Sequence, residues 1–120
     1  MASKVEEDRR SRFCVLEYRP RNWRVGMPAV ASVILLVFRD NDRKLRFLVH
    51  PELHTIVQSE DFAYLESLLR DFLERARQHP EDLFNQLCSL GVGPLVTQEV
   101  GANVSDYPAL LELSLRFVEL

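Results

Sequence analysis

In the first half of the chain, apolar residues alternate or run continuously over short stretches, a pattern that predicts β-strands. Residues 12–18 are the first such stretch, and the proline-containing segment 19–22 ends it. Residues 29–38 are rich in Val and Ile and predict a central strand that is buried on both faces. Segment 40–43 is typical of a turn, because Asp and Asn side chains bond to their own backbone. The alternation in residues 44–49 then predicts a hairpin partner for the central strand.

Helical spacing of apolar residues dominates the chain after that hairpin. Ser59 is predicted to cap a helix whose outer face carries charge pairs four residues apart. Pro80 suits the first position of a second helix, and Gly91 is predicted to end it. Residues 95–100 predict a fourth strand between glycine-containing turns. The apolar positions of the two helices are Phe62, Leu65, Leu69, Phe72, Ala76, Leu83, Leu87 and Leu90.

Residues 108–119 carry two competing patterns. Their leucines and Phe117 alternate with polar residues, as in a strand, but a helical wheel also gathers the polar residues onto one narrow face. Pro108 suits the first turn of a helix, and Ser105 or Asp106 could cap it, so the helix is the favoured interpretation. Together the elements predict an α+β fold of about four antiparallel strands packed by two to three helices.

Length and composition are those of one globular domain, with 120 residues of which 47% are hydrophobic and 28% charged. We expect residues 1–11 to form a flexible tail and residues 12–120 to form a single domain. The charged N-terminal segment has no apolar core of an export signal, and the longest apolar run is about half as long as a membrane helix. These features predict a cytoplasmic protein without a membrane partner.

The residues that could carry catalysis or bind a metal each have a structural interpretation. His50 and His54 are four residues apart, but Pro51 pushes His50 out of any helix, so the segment predicts a turn at a strand end. His79 precedes acidic residues that suit a helix N-terminus. Cys14 and Cys88 are predicted to be two buried thiols, because a reducing compartment disfavours a disulfide.

The glycines form neither a Walker A loop nor a dinucleotide fingerprint, and no serine lies in a GxSxG pattern. We therefore expect no catalytic residues, no metal site and no cofactor.

One segment, which we call the arginine–aromatic segment, combines aromatic rings with guanidinium groups at Tyr18, Arg19, Arg21, Trp23 and Arg24. Such a composition is common at the energetic centre of protein interfaces, and it can also hold a phosphate backbone while stacking a base. A third interpretation is a solvated loop whose tryptophan folds back onto the core. Residues 1–27 have a net charge of +3, but the rest of the chain has −6, which argues against general coating of nucleic acid.

The opening pattern F-x-V-L-x-Y-x-P at residues 13–20, together with the order of elements, resembles a small uncharacterised family of bacterial domains. The similarity could span residues 12–119. Thirteen arginines against two lysines are also typical of a GC-rich bacterial genome. The family usually has Asn-x-Gly before its long apolar strand, where residues 31–33 here are Ala, Ser and Val. Its members look like accessory proteins, some encoded beside HipA-like kinases, so the resemblance implies a larger, kinase-like protein as partner.

The leading hypothesis is a non-enzymatic accessory module that docks a larger protein through the arginine–aromatic segment. Its two aromatic residues would fill pockets of the partner, while its arginines would pair with carboxylates. An alternative is nucleic-acid binding by the same segment. A further alternative is an enzyme in a homo-oligomer whose site is completed at a dimer interface. The candidate residues for that site are His50, His54, His79 and Cys14.

Overall fold

A five-stranded antiparallel sheet forms the centre of the fold, with helices packed on both of its faces. The computed structural model describes residues 11–27 and 31–120. The strands are β1 Ser11–Tyr18, β2 Ala31–Arg39, β3 Lys44–Val49, β4 Leu95–Ala102 and β5 Val118–Glu119. They run in the order β4-β1-β2-β3-β5, and each pairs antiparallel with its neighbours. The α+β fold predicted from the sequence is therefore confirmed, with one strand more than expected.

The helices divide the core into two clusters, one on each face of the sheet. The helices are α1 Leu53–Ile56, α2 Ser59–Gln78, α3 Pro80–Leu87 and α4 Pro108–Arg116, with a short 3-10 helix at Val104–Asp106. The larger cluster lies under α2 and α3, and the smaller one lies under α4 and the 3-10 helix. Residues 35–38 of β2 alternate between them, with Leu36 and Phe38 in the larger cluster and Leu35 and Val37 in the smaller. The central strand is thus buried on both faces, as predicted.

The hairpin between β2 and β3 is the one that the alternation of residues 44–49 predicted. Leu36 faces Phe47 across the two strands, and Arg39 faces Lys44 at their ends. The Oδ1 atom of Asp42 accepts a hydrogen bond from the backbone N–H of Lys44 at 3.0 Å. An Asp side chain thus closes this turn, as the sequence indicated.

An ion-pair network ties the start of α3 to this hairpin. The Oε2 atom of Glu81 accepts a hydrogen bond from Arg12 on β1 at 2.8 Å, and its Oε1 atom accepts one from Arg43. Arg12 also packs its guanidinium over the ring of Phe38, 4.8 Å from the centroid. The hydrogen bond from Arg12, opposed by partial burial and helped by the charge of Arg43, lowers the pKa of Glu81. Glu81 therefore bridges Arg12 and Arg43, and Asp40 is a second ion-pair partner of Arg12, at 3.5 Å.

Two predicted helix ends differ from those observed. Helix α2 begins at Ser59 with Gln58 in the capping position, and no side chain caps it, so Ser59 is not a cap. Helix α3 begins at Pro80 as predicted but ends at Leu87 rather than near Gly91. Beyond Leu87 the backbone forms hydrogen bonds with β4 instead of continuing the helix. The N–H of Leu90 donates to Oγ1 of Thr97 at 2.7 Å, and the N–H of Thr97 donates to the carbonyl of Leu90 at 2.9 Å.

Residues 108–119 are mostly helical, as the sequence favoured, and the strand suggested by the alternating leucines is not formed. Residues up to Arg116 form α4 with Pro108 in its first turn, and the two-residue strand β5 then pairs with the end of β3. The residue in the capping position is Tyr107, whereas Ser105 lies within the 3-10 helix, so the predicted caps are wrong. The 3-10 helix stands in their place because the N–H of Asp106 donates to the carbonyl of Asn103 at 2.8 Å.

Parts of two predictions fall on residues that the structure does not describe. Residues 1–10 of the expected tail and residues 29–30, the first two of the expected central strand, lie outside the described ranges, as does Pro28 before them. Ser11, the last residue assigned to the tail, is instead buried as the first residue of β1. Of the helices in the described ranges, none has the length and apolar character needed to cross a membrane.

Candidate functional site

The arginine–aromatic segment lines a groove that continues onto two other parts of the chain. The groove has a volume of about 580 Å³, and we call it the arginine–aromatic groove. The segment contributes all residues of 19–23 except Asn22, the first turns of α2 contribute Asp61 and Tyr64, and the loop of residues 91–94 contributes with Val96 beyond it. Segments that are far apart in the sequence thus build a single concave surface.

Tyr18 supports the groove from beneath rather than lining it. Its side chain is 1% exposed, and its hydroxyl donates a hydrogen bond to Oδ2 of Asp61 at 2.6 Å. The same hydroxyl accepts a hydrogen bond from the N–H of Gln58 at 3.2 Å. Burial, and then the bond to Asp61, raise the pKa of Tyr18 to about 12. The role expected for Tyr18, insertion into a partner, does not fit this burial.

Asp61 is a buried carboxylate shared between Tyr18 and Arg21. It is 2% exposed, and its Oδ1 atom accepts a hydrogen bond from Nε of Arg21 at 3.0 Å. The residue also lies in the first turn of α2, where the helix dipole favours a negative charge. The Arg21 side chain remains 74% exposed, so most of its guanidinium faces solvent at the edge of the groove.

Arg19 has a carboxylate partner of its own and holds Trp23 in place. Its Nε and Nη2 atoms both donate to Oε1 of Glu17, at 2.9 and 2.7 Å. Glu17 is 5% exposed, so this pair lies largely out of solvent. The guanidinium also lies 4.1 Å from the centroid of the Trp23 ring, a cation–π contact. Trp23 is half-buried, and neither described core cluster includes it, so the ring rests on Arg19 rather than in the core.

The groove is close to electrically neutral, despite its arginines. Arg19 and Arg21 are each bonded to a buried carboxylate, which compensates their charge. Arg24 is exposed, and its Nη1 atom donates to the carbonyl oxygen of Trp23 at 3.2 Å. A phosphate group that approached Arg19 or Arg21 would compete with a carboxylate already in place.

Two exposed side chains give the groove an apolar rim. Val92 is 89% exposed in the lining loop, and Tyr64 is 51% exposed on α2. Exposed apolar residues beside a concave surface are a feature of interaction sites. The rim of the groove can therefore bury apolar surface against another molecule.

Sequence reasoning missed the groove residues outside the arginine–aromatic segment, among them Asp61, Tyr64 and Val92. Val92 had a usable local signal, since a bulky apolar residue between two glycines has no neighbours in the chain to pack against. Glu17, which does not line the groove, also had one, because it lies only two positions before its partner arginine. Asp61 had no local signal, because it lies 43 positions from Tyr18 in the sequence and meets it only in the folded chain.

The histidines and cysteines lie elsewhere and serve the fold. His50 follows β3, and its Nδ1 atom accepts a hydrogen bond from the N–H of Glu52 at 3.0 Å, which fits the predicted turn. His79 joins α2 to α3. Within residues 11–27 and 31–120, no group of three or more His, Cys, Asp or Glu side chains could hold a metal ion.

The two thiols are unlinked, as predicted, although only Cys14 is fully buried. The Sγ atom of Cys14 donates a hydrogen bond to the carbonyl of Leu87 at 3.1 Å. Burial, together with the neighbouring Cys88, raises the pKa of the Cys14 thiol well above its ordinary value. Burial raises the pKa of Cys88 as well. A nucleophilic thiol needs a lowered pKa, so this environment disfavours that role.

The likeness to a family of bacterial domains rests on the pattern of residues 13–20 and the order of elements. Residues 13–18 of that pattern form most of β1 and supply buried side chains to both core clusters. The pattern therefore has a structural explanation in this chain, independent of any shared function. No protein-family model, curated protein or solved structure matches the chain.

Proposed function

We propose that this protein is a non-enzymatic interaction module that docks a larger protein through the arginine–aromatic groove. The observation that carries the proposal is a groove of about 580 Å³ with an exposed apolar rim, beside arginines that internal carboxylates already hold in position. A surface that is fixed before binding loses little conformational freedom when a partner docks.

The partner segment that fits this groove has an apolar side chain next to a carboxylate. The apolar side chain would enter between Tyr64 and Val92, which are both exposed. The carboxylate would meet Arg24, which follows Trp23 in the chain, is exposed and has no bonded carboxylate among the described residues. Trp23, fixed by Arg19, would supply the aromatic contact that is common at the centre of protein interfaces.

The alternative, nucleic-acid binding by the same segment, gains less support from the geometry. Non-specific binding to a phosphate backbone depends on uncompensated cations that displace counterions. Arg19 and Arg21 are compensated by Glu17 and Asp61, which leaves Arg24 as the exposed cation of the segment without a bonded carboxylate among the described residues. Protein docking is therefore the function that we favour.

The test compares Val92→Asp with Leu115→Asp, which places the same charge on α4, far from the groove in the sequence. Both positions are exposed, at 89% and 69%, so neither variant should disturb folding. Proteins from the source cell are captured on the wild-type chain, identified by mass spectrometry, purified and titrated by calorimetry. We expect Val92→Asp to weaken the Kd at least roughly tenfold and Leu115→Asp to leave it unchanged.

Equal loss of affinity in both variants, or in neither, would contradict docking through the groove. A parallel titration with a fluorescent single-stranded RNA tests the alternative. Tight binding that survives 150 mM salt and is weakened by Arg24→Ala would favour nucleic acid over a protein partner, since affinity from non-specific phosphate contacts alone falls steeply as the salt concentration rises. Melting temperatures of all variants, measured beside the wild type, verify that each is folded.

A further inference from the structure

A second cavity, of about 510 Å³, lies between β3 and the C-terminal half of α2. Its walls come from the β2–β3 hairpin, from α2 between Leu73 and Arg77, and from Pro80 at the start of α3. Asp61 of the arginine–aromatic groove and Arg77 of this cavity are 16 residues apart on one helix. At about 1.5 Å per residue, the helix separates them by about 24 Å. The cavity is thus a separate site.

The floor of the cavity is apolar. Leu45 and Phe47 contribute from β3, and Leu73 and Ala76 contribute from the facing side of α2. Phe47 is 2% exposed and belongs to the larger core cluster, and the other three pack against that cluster. A bound molecule would therefore meet the side of the hydrophobic core.

The rim of the cavity is cationic. Arg43, Lys44 and Arg77 all line it, and no lining residue in the described part of the chain has an acidic side chain. Leu120 lines the cavity as well, and its terminal carboxylate is a negative group there. Glu81, which lies outside the lining, is bonded to Arg43. Arg77 contacts Glu74 at 3.8 Å, but both side chains are more than 60% exposed, and such a pair is weak. Lys44 and Arg77 together outweigh the single carboxylate of Leu120, so the rim keeps a net positive charge, in contrast to the compensated arginines of the groove.

We propose that this cavity binds an anionic amphiphile, a single carboxylate attached to an unbranched apolar chain. Cavities of this volume commonly hold small molecules on an apolar surface with a few polar groups that set orientation. The chain would lie on Leu45, Phe47 and Leu73, while the carboxylate would lie at the rim between Lys44 and Arg77. Apolar burial supplies most of the affinity, and the two cations select for negative charge.

The experiment titrates the full chain with decanoate, decanol and decyltrimethylammonium, each below its micelle concentration, by calorimetry and by NMR. The three probes share a ten-carbon chain and differ in the charge of the head group. We expect decanoate to bind more tightly than decanol by roughly two- to fivefold per cation and the ammonium compound to bind most weakly. Decyl phosphate, as a fourth probe, distinguishes a carboxylate from a phosphate head group.

Two charge variants and a matched control locate the site. Lys44→Gln and Arg77→Gln should each weaken the affinity for decanoate by roughly two- to fivefold and leave the affinity for decanol unchanged. Arg70→Gln is the control, because Arg70 is on the same helix with a similar exposure, 78% against 80% for Arg77, but does not line the cavity. Since all three side chains are at the surface, the variants should fold normally. Ala76→Trp, which fills the cavity, should abolish binding of both decanoate and decanol.

Equal binding of decanoate and decanol would overturn the selection for an anion. If Arg70→Gln and Arg77→Gln weakened the affinity for decanoate equally, decanoate would not bind at the cavity that Arg77 lines. Failure of all probes to bind at millimolar concentration, or binding only to vesicles of phosphatidylglycerol, would overturn a site for a single soluble amphiphile. Tighter binding of decyl phosphate than of decanoate would replace the carboxylate with a phosphate in the assignment.

Discussion

At the scale of single residues, Asp61 connects three parts of the chain through one carboxylate. It accepts a hydrogen bond from Tyr18 at the end of β1 and another from Arg21 in the following loop, while it lies itself in the first turn of α2. The hydroxyl of Tyr18 also accepts from Gln58, directly before that helix. No side chain in the capping position of α2 bonds to its N-terminus. Side chains of β1 and of the loop after it position the start of the helix instead.

Replacement of Tyr18 by Phe should destabilise the fold, because it leaves Oδ2 of Asp61 and the N–H of Gln58 without their partner. A buried polar group that loses its hydrogen bond costs about 1–3 kcal/mol in the free energy of unfolding. Tyr64→Phe is the matched control, since Tyr64 is 51% exposed and its hydroxyl has access to water. Urea denaturation of the two variants beside the wild type measures both changes. Similar stabilities for the two variants would disprove the structural role of the Tyr18 hydroxyl.

The same substitution should change how stability depends on pH. The pKa of Tyr18 is about 12 in the folded chain, whereas a tyrosine in an unfolded chain ionises near pH 10. Above about pH 10 the unfolded state loses this proton first, so the free energy of unfolding falls with rising pH until about pH 12. In Tyr18→Phe this decline should be less steep, and the rise of tyrosinate absorbance at high pH should lose one component.

At the scale of secondary-structure elements, the pairing of β4 with β1 depends on a close approach at Gly101. A Cβ atom at this position would lie 2.7 Å from Cζ of Phe13, whose ring is 0% exposed. The ring of Phe13 also meets Tyr107 edge-on, with centroids 5.1 Å apart. The ring therefore has little space to move aside, and glycine is needed here for lack of a side chain rather than for an unusual backbone angle.

Gly101→Ala should therefore destabilise the protein by about 1–3 kcal/mol, the usual cost of overpacking a well-packed core. Gly91→Ala is the control, because a Cβ atom there meets nothing within 4 Å and its backbone angle is ordinary. That variant should be neutral or slightly more stable, since alanine restricts the unfolded chain. Thermal unfolding of the two variants, monitored by circular dichroism, measures the difference in their stabilities. A Gly101→Ala protein as stable as the wild type would show that the Phe13 ring can shift.

The strands were more predictable than the helix ends for a physical reason. A strand that is buried on one or both faces leaves its signature in its own residues, which is why 12–18 and 44–49 gave nearly correct bounds. The end of α3 depends instead on Leu90 bonding to Thr97, a contact between elements that no local pattern contains. The two-residue strand β5 exists only by pairing with β3, so its sequence alone could not specify it.

The candidate site was predictable only in part, for the same reason. The composition of residues 18–24 selected this segment as a candidate, and three of its residues, Arg19, Arg21 and Trp23, line the groove. Burial of Tyr18 was not predictable, because the carboxylate that accepts the hydrogen bond from its hydroxyl is far along the chain. Charge compensation escaped prediction as well. Counting charges along residues 1–27 gave a basic segment, whereas pairing in three dimensions gives a nearly neutral groove.

At the scale of the whole molecule, α2 separates two surfaces of different chemistry. Its first turns contribute Asp61 and Tyr64 to a groove with compensated charge, and its last turns contribute Leu73 and Arg77 to a cavity with a cationic rim. The helix has 20 residues and a length of about 30 Å, so one ligand does not reach both. The two proposed sites therefore make independent predictions, and either proposal can fail without the other.

Independence of the two sites can be measured with variants that each alter one of them. Val92→Asp should weaken the Kd for the partner at least roughly tenfold and leave the Kd for decanoate unchanged. Ala76→Trp should abolish binding of decanoate and leave the Kd for the partner unchanged. Saturation with decanoate should also leave partner affinity unchanged within about twofold, because coupling between sites requires a shared two-state element. Calorimetric titration of the partner with and without decanoate provides the measurement. A shift of tenfold or more, in either direction, would show that α2 transmits the occupancy of one site to the other.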